Sequence, residues 1–341
     1  MLPYSSAVTL AENAMFGYHA PDCHTLFMRI AHFSDPHINL KYHPQHLPRL
    51  RRALEDALGR MAADHIIITG DLTSNADTHD LRTVRRLFES LGIMKSSKLT
   101  VIVGNHDIFG GPHLADDVLS FPERCKTLDY DEKLSIFQDT FAELFSDTIT
   151  MSQQGYPFLK RVQNVCLMGF NSIATHSMLQ NPVGSNGMIS SESQGQARAL
   201  SQHHAWRAAD TRIALLHHHT FRPKDVSHLQ VADGISTSGI AARLEQLTLK
   251  LYGKRALFKL FKATDVNVIL HGHIHFTGGY TRDEIACLNG AGAVFPAFQG
   301  GGYYYNVIEL DGTSREFSAV RLGKKAMVPL QQDNLAVMAG P

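Results

Sequence analysis

Short apolar runs alternate with amphipathic stretches over the first third of the chain. The runs Phe27–Phe33, His65–Thr69 and Leu99–Val103 are largely apolar, which is typical of buried strands. Between them, apolar residues recur every three or four positions, which predicts helices over Leu47–Ala63 and around Leu81–Leu91. Strands that alternate with helices indicate an α/β fold.

The segment 108–150 interrupts this alternation. It opens with a glycine-rich loop, and its later apolar stripe predicts a helix over Asp131–Phe145. We interpret it as a cap beside a functional site. The runs Phe158–Val162 and Val165–Phe170 then predict a hairpin, and a helix is expected around Ser191–His204.

Two further apolar runs, Thr211–Leu216 and Val266–Leu270, predict strands in the second half of the chain. One or two helices are expected between them, over about Gly239–Lys262. After the second run, turn residues at Gly290–Gly292 and Asp311–Gly312 separate three apolar segments. We predict that these segments are antiparallel strands, over Ala286–Asn289, Tyr303–Leu310 and Ser314–Arg321.

No linker or internal repeat divides the chain, which predicts one large domain over residues 28–324. Residues 1–27 show no period and no targeting signal, so we expect a poorly ordered N-terminal extension. They could arise from an upstream start codon, since Met28 opens the first predicted strand. Residues 325–341 are expected to form a loose C-terminal tail.

Composition narrows the functional classes. The 341 residues include 32 Lys+Arg and 32 Asp+Glu, and this zero net charge disfavours nucleic acid or an anionic membrane as the main partner. No apolar run reaches the length of a membrane span. The four cysteines are scattered, which favours a reducing, cytoplasmic setting over a disulfide framework. The 20 histidines are unusual, and many follow apolar runs.

Polar residues follow each of the five main apolar runs, where open α/β sheets build their sites at the carboxyl ends of strands. One polar turn after a strand is ordinary, but five such turns in one chain indicate a common site. The residues at these five ends are, in chain order, Asp35 and His37, Asp71, Asn105 and His106, His217, and His273 and His275.

These residues lie in the motifs DPH, GD, GNHD, HH and GHIH. In this order, the motifs resemble those of the calcineurin-like metallophosphoesterase superfamily, and its bacterial cyclic-nucleotide phosphodiesterase branch in particular. The resemblance covers residues 28–320. It implies a four-layer α/β/β/α sandwich around two mixed sheets, with the motifs clustered at one end.

The resemblance also implies a role for each motif residue and two divalent metal ions as cofactors. Asp71 would bridge the two ions, and His106 would stabilise the transition state or protonate the leaving alkoxide. His217 is preferred over His218 because it directly follows the apolar run, and His218 remains the alternative. The remaining ligands would be Asp35, His37 and His275 for one ion, and Asn105, His217 and His273 for the other.

These residue types are suited to binding two metal ions that hydrolyse a phosphoester. Nitrogen and oxygen ligands without a thiolate favour manganese, iron, cobalt or zinc. Two such ions can hold a bridging hydroxide that attacks a phosphoester. With only Asp35 and Asp71 negative, the loaded site would carry a net charge of about +1 and attract phosphate. Asp107 and His271 are expected to support the ligands, and His219 or Thr220 could contact substrate.

We therefore expect hydrolysis of a small or cyclic nucleotide-like phosphodiester. A phosphomonoesterase and a nucleotide or lipid pyrophosphohydrolase are alternatives, and an exonuclease is disfavoured by the zero net charge. A non-catalytic scaffold is also disfavoured, because such a protein would be expected to lack some ligands or the histidine of GNHD, and this chain retains them all. A basic cluster between Lys250 and Lys262 is expected to be a solvated helix face.

Overall fold

The structure is a computed structural model that describes residues 27–220, 250–275, 277–296, 302–324 and 327–330. The predicted N-terminal extension, the start of the predicted helix over Gly239–Lys262 and the end of the predicted tail lie outside the described residues. In the described residues, the strands are β1 (Met28–Phe33), β2 (His65–Thr69), β3 (Leu99–Ile102), β4 (Ile149–Thr150), β5 (Phe158–Val162), β6 (Val165–Gly169), β7 (Gly187–Met188), β8 (Thr211–Leu215), β9 (Leu251–Tyr252), β10 (Val268–His271), β11 (Thr277–Arg282), β12 (Ile285–Gly290), β13 (Tyr304–Asp311), β14 (Ser314–Arg321) and β15 (Met327–Pro329).

The helices of the same residues follow the predicted amphipathic stretches and add three that were not predicted. None of them combines the length and the apolar character that a membrane crossing requires. They are α1 (His46–Gly59), α2 (Thr78–Ser90), α3 (Asn105–Ile108), α4 (Ala115–Thr127), α5 (Tyr130–Thr140), α6 (Ala142–Phe145), α7 (Ser191–Leu200), α8 (His204–Arg207) and α9 (Lys254–Ala263).

Two large mixed sheets form the centre of the molecule. The first has the order β15-β14-β13-β1-β2-β3, with β1, β2 and β3 parallel and β13 antiparallel to β1. The second has the order β11-β12-β10-β8-β6-β5-β4, and its four central strands β12, β10, β8 and β6 are mutually parallel. The predicted α/β fold with two mixed sheets is confirmed.

The second sheet is apolar on both faces. In β8, Ile213 and Leu215 pack in the core that contains side chains of both sheets, α1 and α2. Ala214 packs on the opposite face, in a second cluster with residues of α7, α8 and α9. Because successive strand residues point to opposite faces, burial on both sides requires an unbroken apolar run. The buried Trp206 belongs to this second cluster and donates to the Thr264 carbonyl at 2.8 Å.

The predicted antiparallel arrangement of the last strands is wrong at its first member. The strand β12 lies in the second sheet and β13 in the first, so the turn at Gly290–Gly292 crosses between sheets. The antiparallel partner of β12 is β11, which was not predicted because its sequence, TGGYTR, contains no apolar run. The predicted pairing of the last two segments, β13 with β14, is correct.

Two helical predictions also change. The predicted helix over Asp131–Phe145 is divided at Phe141, whose backbone leaves the helical region, so that α5 and α6 are separate. The helix α4 was missed, since Pro122 lies inside it and Val118 and Leu119 are exposed, which obscures an amphipathic stripe.

Part of the segment that was expected to be a loose tail is a strand. Met327–Pro329 pairs with β14 as β15.

Candidate metal centre

The loops after β1, β2, β3, β8 and β10 meet at one edge shared by the two sheets. Backbone hydrogen bonds join neighbouring loops there: Asp35 N donates to Gly70 O and His37 N to Asp71 O, both at 3.0 Å. In the second sheet, Gly272 N donates to His217 O at 2.9 Å. All eight residues that follow the apolar runs therefore come to one place, and Asp35, Asp71 and His217 among them are fully or almost fully buried.

Four of these residues have a left-handed backbone, which is rare for residues other than glycine. Their φ angles are 52° for Asp35, 43° for His37, 52° for Asp71 and 73° for His273. Each such residue costs on the order of 1–3 kcal/mol and persists only where the surrounding structure determines it, which is frequent at functional sites.

Glycines allow the loops to approach each other closely. A Cβ atom on Gly104 would lie 2.2 Å from Asp71 Oδ1, and one on Gly272 would lie 2.1 Å from Asp35 Oδ2. Any side chain at either position would displace a carboxylate. The glycines of the GNHD and GHIH motifs thus make room for the two buried acids.

Asp35, His37 and His275 form the first group of possible metal-ligating atoms. His37 Nε2 is 3.7 Å from Asp35 Oδ1, and His275 Nε2 is 3.9 Å from the same oxygen. The two imidazole nitrogens are 3.0 Å apart. His275 comes from the second sheet, so this group joins the two sheets.

Asp71, His217 and His273 form a second group. His217 Nε2 is 3.2 Å from Asp71 Oδ2 and 3.2 Å from His273 Nδ1. Asn105 Oδ1 lies 2.9 Å from the same His217 nitrogen, so the structure places this amide beside the second group.

Asp71 lies between the two groups. Its Oδ2 is 3.5 Å from His37 Nε2, in the first group, and 3.2 Å from His217 Nε2, in the second. Its Oδ1 accepts a hydrogen bond from His106 N at 2.7 Å. This is the position that a carboxylate shared by two cations would require.

The tautomers of two histidines follow from their neighbours. His217 Nδ1 is 2.9 Å from the Thr69 carbonyl, and His106 Nδ1 is 3.1 Å from the Ser74 carbonyl. A carbonyl only accepts, so each Nδ1 carries a proton and each Nε2 is the nitrogen that faces the cluster. A backbone carbonyl that fixes the ring in this way is typical of metal-ligating histidines.

His217 and His218 differ in what their ring nitrogens contact. Both ring nitrogens of His218 are engaged outside the cluster: Nδ1 lies 2.9 Å from Ser172 Oγ and Nε2 lies 3.3 Å from Ser185 O. His217 is therefore the member of the pair that the structure brings to Asp71. His219 is parallel to His273 with 6.1 Å between ring centroids.

The other predicted supporting residues have defined places. Asp107 accepts hydrogen bonds from Thr73 N at 2.9 Å and Gly104 N at 3.0 Å, so it joins the second loop to the third. Burial and the Asp71 charge raise the pKa of Asp107 to about 7. His271 is buried at the end of β10, and the Thr220 hydroxyl bonds to the Tyr280 hydroxyl on β11.

Electrostatics favour a cation at this place. Burial would raise the pKa of Asp71, but neighbouring histidines, His217 above all, hold that pKa well below its usual range. Burial would lower the pKa of His217, but the Asp71 and Asp35 charges raise it to about 9. Burial lowers the pKa of His37 to about 4, so this ring is neutral near pH 7 and can offer a lone pair to a cation.

The donor set fits divalent metal ions. Two pairs of imidazole nitrogens lie close together, 3.0 Å apart in His37 and His275 and 3.2 Å apart in His217 and His273, beside oxygens of Asp35 and Asp71. A cation beside each pair would be held by nitrogen and oxygen atoms, the ligands that first-row transition metals and zinc accept. The described residues thus contain a candidate metal site.

One aromatic residue at the site was not identified from the sequence. The Phe295 ring stacks on His275 with 4.1 Å between centroids and an angle of 2°, and it meets His37 edge-on at 5.7 Å. It therefore restrains two candidate ligands at once. Its segment is rich in glycine and alanine and contains no motif, so the sequence offers no signal for this role.

A buried hydrogen-bond chain behind the site was also not identified. Asn289 Nδ2 donates to Ile274 O at 2.7 Å, and Asn306 Nδ2 donates to Asn289 O at 3.0 Å and to His32 Nδ1 at 3.2 Å. His32 Nε2 then donates to Thr69 Oγ1 at 3.0 Å. The chain connects the GHIH loop on the second sheet to the strand end that precedes Asp71 on the first.

Comparison with known proteins agrees with this geometry. A family model described as calcineurin-like phosphoesterase matches residues 28–276. The structure is similar to a dimetal phosphatase from Danio rerio (TM-score 0.52, 12% identity, 90% of this chain and 99% of that chain). It is also similar to a purple acid phosphatase from yellow lupin, Lupinus luteus (TM-score 0.56, 10% identity, 93% of this chain and 56% of that chain). No curated protein matches the sequence.

Proposed function

Because the chain belongs to the calcineurin-like phosphoesterase family, we propose that it is a dinuclear metal-dependent phosphodiesterase acting on a small or cyclic nucleotide-like substrate. The observation that carries this proposal is the position of Asp71 between two groups of nitrogen and oxygen atoms. In the proposal, Asp71 contacts both ions. The other ligands are Asp35, His37 and His275 for one ion, and Asn105, His217 and His273 for the other.

The bound ions would supply a nucleophile at neutral pH and offset the charge of the phosphoryl oxygens. Manganese, iron, cobalt and zinc all suit a ligand set of this kind. The chain's own part is to fix the ligand positions and to exclude competing water, which the burial of Asp35, Asp71 and His217 supports. The left-handed backbones support the same view, because such strain persists only where the surrounding structure fixes the ligand positions.

We assign proton transfer to His106. Its Nδ1 is held by the Ser74 carbonyl, and its ring meets the His37 ring edge-on with 4.6 Å between centroids. His106 is only partly buried, unlike Asp71 and His217, so a substrate oxygen can reach its Nε2. In the protonated state Nε2 would donate to the leaving alkoxide, or stabilise the transition state through the same hydrogen bond.

A phosphodiester is favoured by the resemblance of the motif set to the cyclic-nucleotide phosphodiesterase branch. A site with a net charge of about +1 attracts any phosphoester, so a phosphomonoester and a nucleotide or lipid pyrophosphate remain the alternatives. A scaffold without activity is disfavoured, because every ligand position and His106 are retained. A reducing, cytoplasmic location is part of the proposal, and the buried Cys125, Cys166 and Cys287 are compatible with it.

A hydrolysis panel tests the function. Metal-free protein is supplied in turn with Mn²⁺, Fe²⁺, Co²⁺ and Zn²⁺ and assayed with bis(p-nitrophenyl) phosphate, p-nitrophenyl phosphate, 2′,3′- and 3′,5′-cyclic nucleotides and a dinucleoside pyrophosphate. We expect metal-dependent hydrolysis, with a higher kcat/KM for the diester than for the monoester. A higher value for the monoester or the pyrophosphate would favour the corresponding alternative. No hydrolysis with any metal would contradict the proposal.

A further inference from the structure

A polar cavity of about 460 Å³ opens beside His106, on the side of the predicted cap, residues 108–150. Its lining includes Gly111, which lies against the His106 ring, since a Cβ atom on Gly111 would be 2.6 Å from His106 Cε1. The remaining lining comes from the loops around Tyr42 and Asn75 and from α4 and α5. A cavity of this size can hold the part of a substrate that lies beyond the reacting group.

Three cations line this cavity: Lys41, Arg124 and Lys133. None of them has a carboxylate within ion-pair distance among the described residues. Lys133 Nζ donates to Ala76 O at 3.1 Å, and the Arg124 guanidinium lies 5.4 Å from the centroid of the Phe121 ring. Their positive charge is therefore available to an anion in the cavity.

The two acids of the lining, Asp77 and Asp117, are already engaged. Asp77 Oδ1 accepts from His79 N at 2.8 Å, which caps the start of α2. Asp117 Oδ2 accepts from Leu114 N at 3.2 Å at the start of α4. Carboxylates that cap helices interact with the positive end of the helix dipole, so they offset the three cations less than their number suggests.

A neighbouring cavity of about 350 Å³ shares Asn75, Ala76, Arg124 and Lys133 with the first. The shared cations therefore lie between two adjacent spaces, which together we call the groove. The second space is also lined by Asp129 and Glu132. Asp129 caps the start of α5, where its Oδ1 accepts from Glu132 N at 2.9 Å, and Glu132 adds a negative charge in the second space only. The half-buried Tyr42 stacks on His113 with 4.7 Å between centroids and forms part of the groove wall. This combination of cations and an aromatic face is suited to a phosphorylated, ring-containing group.

We propose that this groove binds a second phosphate of the substrate, at a distance from the phosphoester that is hydrolysed, with Arg124 and Lys133 as its main contacts. The inference rests on the proposed function, and it narrows the substrate class to phosphoesters that carry another phosphate. Arg124 and Lys133 set specificity and take no part in the bond cleavage.

Two substrates that differ by one phosphate test this inference in the metal-loaded enzyme. They are thymidine 5′-(p-nitrophenyl phosphate) and the same compound with a 3′-phosphate. For the wild type we expect a KM about tenfold lower for the 3′-phosphorylated substrate, the size of a few charge-assisted contacts in partly exposed positions. This preference should shrink with added salt, since exposed charges are screened.

Variants of the two cations identify the source of the preference. Arg124→Gln and Lys133→Gln should each remove most of the KM advantage, and Arg124→Glu should reverse it, while kcat and the kinetics with bis(p-nitrophenyl) phosphate stay unchanged. Lys126→Gln is the matched control, because Lys126 lies on the same helix, is exposed and pairs with Glu123 outside the groove. It should leave every value unchanged.

A binding measurement separates this inference from the proposed function. Thymidine 3′,5′-bisphosphate should bind the metal-free wild type at least about tenfold more tightly than it binds Arg124→Glu, as measured by calorimetry. Equal KM values for the two substrates, or equal binding by wild type and Arg124→Glu, would overturn the groove assignment even if bis(p-nitrophenyl) phosphate is hydrolysed. Absence of all hydrolysis would refute the proposed function, and the calorimetry would still decide on the groove.

Discussion

The candidate metal centre and the groove beside it are adjacent but differ in construction. The centre consists of buried side chains at the ends of five strands, held by strained backbones and close glycines. The groove is open and is lined by side chains from loops and from two helices. This difference indicates that the sheet edge determines the chemistry, whereas the loops and the cap select the substrate.

The largest effect is expected from Asp71, the shared residue of the centre. Asp71→Asn should abolish binding of two ions per chain and lower kcat/KM by about 10⁴-fold or more, because the amide cannot balance the charge of either ion. Metal content and kinetics are the measurements. Asp80→Asn is the matched control, since Asp80 is also buried but bonds to Leu40 N away from the centre. Normal metal content and turnover in Asp71→Asn would show that the centre is not built around this carboxylate.

His106 should give the next largest effect. His106→Asn should keep both ions and lower kcat by about 10²- to 10⁴-fold, the range of acid–base and oxyanion contributions. With p-nitrophenolate as leaving group the loss should be smaller than with an alkoxide, which needs a proton. An equal loss for both would point to electrostatic stabilisation, and a loss of metal would identify His106 as a ligand.

Asn289 tests whether the second half of the centre depends on the hydrogen-bond chain behind it. Asn289→Ala removes the donor to Ile274 O, so we expect metal affinity to fall by about 10- to 100-fold, as for other residues that orient ligands. Asn181→Ala is the control, since Asn181 is equally buried and donates to Ala174 O at 2.7 Å. If both variants lose stability equally and neither changes metal affinity, the chain has only a structural role.

The last prediction concerns the pH dependence of stability, which depends on the buried regions and not on the open groove. Burial lowers the pKa of His32, His65 and His218 to about 3 and that of His271 to about 4. Between those values and 6.5 the unfolded chain binds more protons, so the free energy of unfolding falls as the pH drops below 6.5. The slope should approach about 1.4 kcal/mol per pH unit for each histidine.

Asp107 acts in the opposite direction, because its raised pKa stabilises the fold at low pH and this stabilisation is lost as the pH rises to about 7. The raised pKa of His217 acts in the same direction as that of Asp107, and the four histidines outweigh these two groups. Urea unfolding of the metal-free protein at pH 5 and pH 7 measures the balance. Equal stability at the two pH values would mean that these histidines are not held neutral by burial.

The features that the sequence predicts correctly are those in which one short segment carries the whole signal. A buried strand is an apolar run, and the polar residues directly after it reach the sheet edge whatever the rest of the chain does. This is why β1, β2, β3, β8 and β10 and the residues after them were identified. The choice of His217 over His218 also followed from this rule, and the structure brings His217 to Asp71.

Features that depend on distant segments could not be predicted. The strand β11 has no apolar run, and only its pairing with β12 makes it a strand. Asn289 and Phe295 resemble any other residue at the end of a strand or in a loop until the GHIH loop is placed against them. The groove is the extreme case, because its charge arises only when separate loops and the cap come together.

Anomalous diffraction from crystals of the Mn²⁺-loaded protein tests the central claim most directly. We expect two manganese peaks per chain, one among Asp35, His37 and His275 and the other among Asn105, His217 and His273, with Asp71 in contact with both. A single peak, or two peaks of which only one contacts Asp71, would contradict the dinuclear centre.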